Sequence, residues 1–265
     1  MNETDYFSFF SRNRGLISDE QQEKLKSSCV AVFGLGGLGG IICEILVRSG
    51  ITNLKLIDKD VFETSNLNRQ IYAHQHSLGR SKTKVTKEAL LKINPGLSLI
   101  SFNRVGEDNI DEILIETDLA LLALDETLAC ITISRAAQKQ GIPLVEGWAL
   151  PFLNVRVYTR DTPSLEQVYN LPTEGRSVKD ISEKESAELN LKMLLELKNI
   201  EGIEAYYDEN IINQLQDGNI PSFAPVVWLN ACYMSLEAIK VLLGRGTISY
   251  APKMTIFDPF DSIIL

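Results

Sequence analysis

The sequence predicts an α/β protein: a mostly parallel sheet with helices on both faces, continued by antiparallel strands on the C-terminal side. Three observations carry this. Apolar runs and helical segments alternate from Cys29 to Val145, the pattern of strand–helix–strand units. The run GLGGLGG (Gly34–Gly40) sits where the first strand would hand over to the first crossover helix, which gives the sheet a Rossmann-like start. Beyond that region the periodicity changes: FLNVRVY (Phe152–Tyr158) alternates, as an antiparallel strand does.

In order, Ser18 caps a short charged helix reaching Ser28. CVAVF (Cys29–Phe33) is a continuous apolar run, as in a strand buried on both faces. Ile41–Arg48 continues as a helix after the glycine turn. Leu54–Ile57 is the second strand, Ser81–Ile93 a helix stopped by Asn94-Pro95, and Leu97–Phe102 the third strand. A short helix over Asp108–Ile115, a strand over Leu119–Leu124, a helix over Glu126–Gln140 and a strand over Ile142–Val145 complete the alternation. Residues 159–180, with Pro163, Pro172 and Gly175, read as a loop. Ser182 and Glu185 suggest a capping box before a helix to about Ile200, and Asp208–Gln216 a shorter helix ended by Gly218. Ser222–Leu243 is a long, mostly apolar helix expected to be largely buried; Met254–Phe257 and Ser262–Leu265 read as closing strands. With no linker evident, residues 1–265 are expected to form one domain: an N-terminal arm and helix (1–28), a nucleotide-binding core (29–148) and a helical insertion (180–218).

The chain has 265 residues, 45% of them hydrophobic, with 26 basic and 35 acidic residues and a net charge of −9. That balance argues against nucleic acid or an anionic membrane as partner, while leaving room for a local cationic pocket. No apolar run is expected to reach the ~18 residues that span a bilayer, and the N-terminus lacks the pattern of a secretory signal. Four isolated cysteines, at 29, 43, 130 and 232, fit neither a disulfide framework nor a paired-cysteine zinc site and are expected in the core. The expected protein is soluble and cytoplasmic.

The glycine turn, with Gly36, Gly37 and Gly39, offers backbone N–H groups and a helix N-terminus to a phosphate. Asp58, nineteen residues past Gly39, ends the next strand and suits ribose hydroxyls. This pair alone fits NAD, FAD or ATP. The following connection separates them: it carries Asp60, Asn66, Arg69 and Lys82. A guanidinium fork and a compact ammonium suit a polyphosphate, and a hydride-transfer site needs no such cluster. Asp125 ends the fourth strand, facing the crevice. Two readings stay open for it, a Mg²⁺ ligand or the N-cap of the next helix. His74 and His76 lack further ligands. Trp148 and Trp228 read as packing residues, with Trp148 placed to line the way in for a substrate tail.

The composite G-x-G-G-x-G, eighteen residues, D-x-D, five residues, N-x-x-R, twelve residues, K resembles the ThiF/MoeB/HesA family, adenylating relatives of ubiquitin-activating enzymes. SNLNRQ (65–70), INP (93–95) and SLEAIKVL (235–242) add to it, and the resemblance runs from about Arg14 to the C-terminus. It implies an ATP- and Mg²⁺-dependent adenylyltransferase. Such an enzyme activates the C-terminal carboxylate of a ubiquitin-like sulfur-carrier protein as an acyl-adenylate, releasing pyrophosphate. A peptide with a free C-terminus or another small carboxylate is the close alternative, and an NAD-dependent oxidoreductase the alternative from another class. It implies that Gly37 approaches the nucleotide, Asp58 holds the ribose, and Asn66, Arg69 and Lys82 bind the triphosphate, with Asp125 as metal ligand. It also implies that Arg14 reaches the site of a second copy, hence a homodimer. No zinc is expected, since PSLEQV (163–168) stands where the first CxxC pair of many relatives would fall. DGNIPSFAP (217–225) holds no cysteine for transfer chemistry, so activity is expected to stop at adenylation. Glu126 stands where the family often has Asn.

Overall fold

The computed structural model describes residues 3–150, 152–199 and 207–260. Seven strands form one sheet in the order β3-β2-β1-β4-β5-β6-β7: β1 (Cys29–Phe33), β2 (Asn53–Ile57), β3 (Ser98–Phe102), β4 (Leu119–Leu122), β5 (Leu144–Ala149), β6 (Leu153–Tyr158) and β7 (Thr255–Phe257). Strands β1 to β5 are parallel and β6 and β7 antiparallel, as the change of periodicity predicts. The helices are α1 (Glu3–Phe9), α2 (Asp19–Ser27), α3 (Gly37–Ser49), α4 (Lys82–Ile93), α5 (Ile110–Leu114), α6 (Thr127–Gln140), α7 (Leu165–Val168), α8 (Glu183–Glu196), α9 (Glu209–Gln216) and α10 (Ala224–Leu243).

Each face of the sheet is covered. Leu46 of α3, Leu90 of α4 and Met234 of α10 pack with Val32 and Leu56 on one side; Ile113 of α5, Ile131 of α6, Leu165 of α7 and Met193 of α8 pack with Phe33 and Leu122 on the other. The chain runs β1, β2, β3 to one side and then returns to place β4 on the other side of β1. This reversal opens a crevice at the carboxyl ends of β1 and β4, where open parallel sheets bind ligands.

Several expectations are corrected. Strand β5 continues to Ala149 rather than ending at Val145, because β6 folds back on it with Glu146 opposite Arg156 and Ala149 opposite Leu153. The 159–180 loop contains α7, whose N-cap Ser164 and Gln167 form a capping box, and a 3-10 turn at Val178–Asp180. Ser182 does accept from Glu185 N at 3.2 Å, but the reciprocal half of that box is missing. Helix α1 precedes the first helix expected from sequence. The end of the α8 segment at Ile200 and the strand over Ser262–Leu265 lie outside the described residues.

Helix α10 departs most. Its most apolar 18-residue window has a mean hydropathy of 1.5, enough by length and composition to cross a membrane, contrary to expectation. It packs on α3, β5 and β6 instead, yet only one side is covered: Trp228 is 43% and Leu236 53% exposed, and Cys232 is exposed rather than core. Cys29 is half-buried; Cys43 and Cys130 are buried as expected.

Gly39 ties α3 to the end of β1. A Cβ there would stand 1.7 Å from the Gly34 carbonyl oxygen, which is backbone and cannot yield. Gly39→Ala should therefore cost on the order of 3 kcal/mol. A lower urea midpoint at unchanged slope would show it; a midpoint within experimental error of wild type would refute this account of the turn.

Candidate functional site

A cleft of about 320 Å³ opens at the crevice, lined by Gly36, Gly37, Asp58, Asp60, Asn66, Arg69, Lys82 and Asp125 among others. Sequence-distant residues thus meet because each follows the carboxyl end of a neighbouring strand. The glycines follow β1, Asp58 follows β2 and Asp125 follows β4. Arg69 comes from the connection after β2, and Lys82 opens α4 behind its N-cap Ser81.

The two carboxylates after β2 are already engaged. Asp58 accepts from Leu35 N at 2.6 Å and Asp60 N at 2.8 Å. Burial pushes its carboxyl above the ordinary range, and Lys82 and the two backbone N–H groups oppose this only in part. Lys82 is 7% exposed and donates to Asp60 Oδ2 at 3.0 Å. Asn66 Oδ1 accepts from Glu63 N at 3.1 Å and its Nδ2 reaches Ser65 Oγ at 3.4 Å, so its carboxamide is largely spent on the local turn.

Arg69 is held differently. Its Nη1 donates to Ser65 O at 3.0 Å and Asn68 Oδ1 at 2.8 Å, and its carbonyl accepts from Trp228 Nε1 at 2.8 Å. Nε and Nη2 carry no protein partner among the described residues. Burial pushes the guanidinium below its usual range, while Asp125 pulls it back up. Its stem covers Gly37, where a Cβ would come within 2.8 Å of Val227 Cγ1 and 3.4 Å of Arg69 Cγ. Asp125 is exposed and makes no hydrogen bond among the described residues. It is not the helix cap either: Glu126 takes that position.

Arg14 stands apart. Its side chain is 58% exposed, pairs with Asp19 at 3.0 Å, and does not line the cleft of its own chain. His74 and His76 stack with ring centroids 5.2 Å apart.

Some lining residues were not singled out from sequence. Gln70 is 7% exposed, lies against Gly36, and its Oε1 is buried without a partner among the described residues. It directly follows Arg69 in SNLNRQ, so the signal was present. Leu150, Ile220 and Pro221 form an apolar wall together with Trp148, the residue expected from sequence to line the way in. Trp148 is fixed by Nε1 donating to Glu146 Oε1 at 3.1 Å, whereas Trp228 is a half-exposed hydrogen-bond donor rather than a packing residue. A second recess of about 250 Å³ adjoins Asp58 between Val105, Leu124 and Ala129.

The residues present fit a nucleotide polyphosphate: glycine backbone in the cleft lining, a guanidinium edge without a protein partner among the described residues, and a buried ammonium. Among the described residues no three His, Cys, Asp or Glu side chains gather into a metal cage. A magnesium ion would be held through Asp125 together with phosphate oxygens and water, as this ion commonly is.

Fold and cleft together are those of a Rossmann-like protein with a glycine-lined crevice holding Arg69 and Lys82 at its topological switch point. The chain belongs to the ThiF family, whose profile matches residues 10–264, and is an enzyme of the ThiF/MoeB adenylyltransferase type. It is 28% identical over 234 residues to the molybdopterin-synthase adenylyltransferase of Haemophilus influenzae, covering 87% of this chain and 81% of the relative. It is 34% identical over 138 residues to the tRNA threonylcarbamoyladenosine dehydratase of Bacillus subtilis, covering 51% of this chain and 54% of that one. The crystal structure of the Escherichia coli dehydratase TcdA in complex with AMP shares the fold, with a TM-score of 0.65 at 19% identity, covering 91% of this chain and 96% of that one.

Proposed function

We propose that this protein uses ATP to adenylate the C-terminal carboxylate of a ubiquitin-like sulfur-carrier protein, forming an acyl-adenylate and releasing pyrophosphate. The observation that carries the reading is the pair of cationic groups at the switch point, Arg69 with two nitrogens unpartnered among the described residues and the buried Lys82, lining one cleft with the bare carboxylate of Asp125. Arg69 and Lys82 bind the triphosphate, with Asn66 closing the turn that leads into Arg69, and the two cations offset negative charge as the α-phosphate is attacked. Gly36, Gly37 and Gly39 let the backbone approach, Asp58 holds the ribose beside Asp60, and the recess at Val105 and Leu124 takes the base. Asp125 holds Mg²⁺. The apolar wall at Trp148, Leu150 and Pro221 receives the carboxylate-bearing tail. No covalent nucleophile is needed, since positioning and electrostatics supply the rate.

The whole chain, 1–265, acts as one adenylation domain in the cytoplasm, and works as a homodimer. The bare side of α10, with Trp228, Tyr233 and Leu236, supports the dimer. One end of this helix abuts the cleft through Trp228; at the other, Arg245 Nη1 donates to Leu16 O at 2.6 Å, beside Arg14. A two-fold axis across this face would bring the Arg14 arm of one copy toward the cleft of the other.

ATP–pyrophosphate exchange tests the reading. A small carrier protein ending in Gly-Gly should support exchange; a free peptide supporting it in the carrier's place would move the substrate class to peptides. An acidic chain weighs against tRNA, although one relative carries a tRNA-directed name. Tight binding of NAD with no binding of ATP would overturn the proposal.

A further inference from the structure

Helix α6, which follows Asp125, is not capped by its own residues. Glu126 holds the N-cap position in an extended conformation (φ −87°, ψ 104°) and makes no side-chain bond to the helix. Its carboxylate pairs instead with Lys59 at 2.5 Å. The acceptor arrives from a distant part of the chain: Thr127 N donates to Asn190 Oδ1 at 2.9 Å, and Thr127 Oγ1 faces Met193 Sδ at 3.6 Å. Asn190 and Met193 belong to α8, in the 180–218 segment.

The two attachments of this turn are unequal. Lys59 and Glu126 are 62% and 49% exposed, and such surface pairs contribute little. Thr127 is buried, so its N–H would be costly to leave without an acceptor. Asp125 has no hydrogen bond of its own and takes its place from the chain on either side. Upstream, Ala123 N donates to Phe33 O at 2.8 Å; downstream, Glu126 O accepts from Cys130 N at 3.0 Å within α6, and the buried backbone tie of this turn to another element is the Thr127–Asn190 bond.

We propose that Asn190 is a positioning residue for Asp125: helix α8 clamps the first turn of α6 and thereby fixes the carboxylate that faces the nucleotide cleft. The proposal rests on the nucleotide reading above. It makes the inserted helix part of the apparatus that orders the cation-binding side.

The test compares calorimetric binding of ATP with excess magnesium and of ATP with EDTA, in the full-length protein. Two single variants remove the bond from opposite ends. Asn190→Ala deletes the acceptor. Thr127→Pro deletes the donor at the first helical position, where proline is tolerated, and Glu126 already has the extended conformation that precedes proline. In each, the gain in ATP affinity conferred by magnesium should fall by about three- to tenfold, the range of one net hydrogen bond. The double variant should fall no further than either single one. Asn190→Asp, which keeps an oxygen acceptor, should retain the wild-type gain. An Asn190→Ala protein with an unchanged magnesium gain, but faster amide exchange in the first turn of α6, would reduce Asn190 to a helix cap and overturn the assignment. Equal ATP affinity with and without magnesium in the wild type would overturn it while leaving the nucleotide site standing. Absence of ATP binding in the wild type would remove both.

Discussion

Arg69→Ala will lower ATP–pyrophosphate exchange by about 10²–10³-fold, the usual cost of losing one preorganised donor to a developing oxyanion, with little change in the urea midpoint. The reasoning lies in how the side chain is spent. One nitrogen, Nη1, is tied to Ser65 O and Asn68 Oδ1, which sets the plane of the guanidinium. The other donors are left for a ligand. The loop around Arg69 is held through its backbone carbonyl by Trp228, a contact that alanine preserves. Partial burial sharpens the effect, because a half-desolvated cation interacts more strongly with phosphate than a solvated one. Arg69→Lys keeps the charge but loses the fork, so exchange should recover only partly, to within about tenfold of wild type. Full exchange in the alanine variant would remove Arg69 from the site.

The second large effect concerns stability. Glu146 lies in β5 at 1% exposure and accepts four hydrogen bonds. Trp148 Nε1 and Tyr169 OH donate to one oxygen at 3.1 and 2.8 Å; Arg156 Nε and Tyr158 OH donate to the other at 2.7 and 2.9 Å. Burial pushes both phenols well above their usual range, so they remain neutral donors. Glu146→Leu leaves the Arg156 guanidinium, itself 4% exposed, without its counter-charge, and strands three further donors. Removing one partner of a buried ion pair costs about 3–5 kcal/mol, which in a chain of this size lowers Tm by roughly 10 °C. Replacing both partners, Glu146→Leu with Arg156→Met, should recover much of the loss, since the penalty belongs to the unpaired charge. A midpoint drop equivalent to less than about 1 kcal/mol in the single variant would contradict this account of the network. Because Trp148 also walls the cleft, the surviving folded fraction should handle the carboxylate substrate poorly even where ATP binding persists.

Much of the architecture was legible in the chain because the relevant signals are local. Cys29–Phe33 reads as a buried strand from five consecutive apolar residues, Ser18 announces a helix through its cap, and the shift to alternation at 152–158 marks the antiparallel turn of the sheet. The candidate cleft was legible for a related reason. Parallel strands all end on one side, so residues that directly follow strands converge whatever their separation in sequence. Less was visible where a side chain's fate depends on a neighbour far along the chain. Asn66 looked free for phosphate but largely closes its own turn. Asp125 could have capped α6, yet Glu126 took that position and Asn190 supplied the bond. Trp228 and Cys232 looked buried because their helix is apolar, and only its packing shows which side is covered.

The sequence by itself determined the order of strands and helices and the set of charged residues presented to the crevice, since backbone propensity and hydrophobic period act within a few residues. Tertiary structure alone decided which of those charges stay free for a ligand, that Glu146 gathers four donors beneath the cleft wall, and that an inserted helix caps the turn beside Asp125. Those outcomes depend on hydrogen-bond partners that become neighbours only when the sheet has closed and the helices have docked on it.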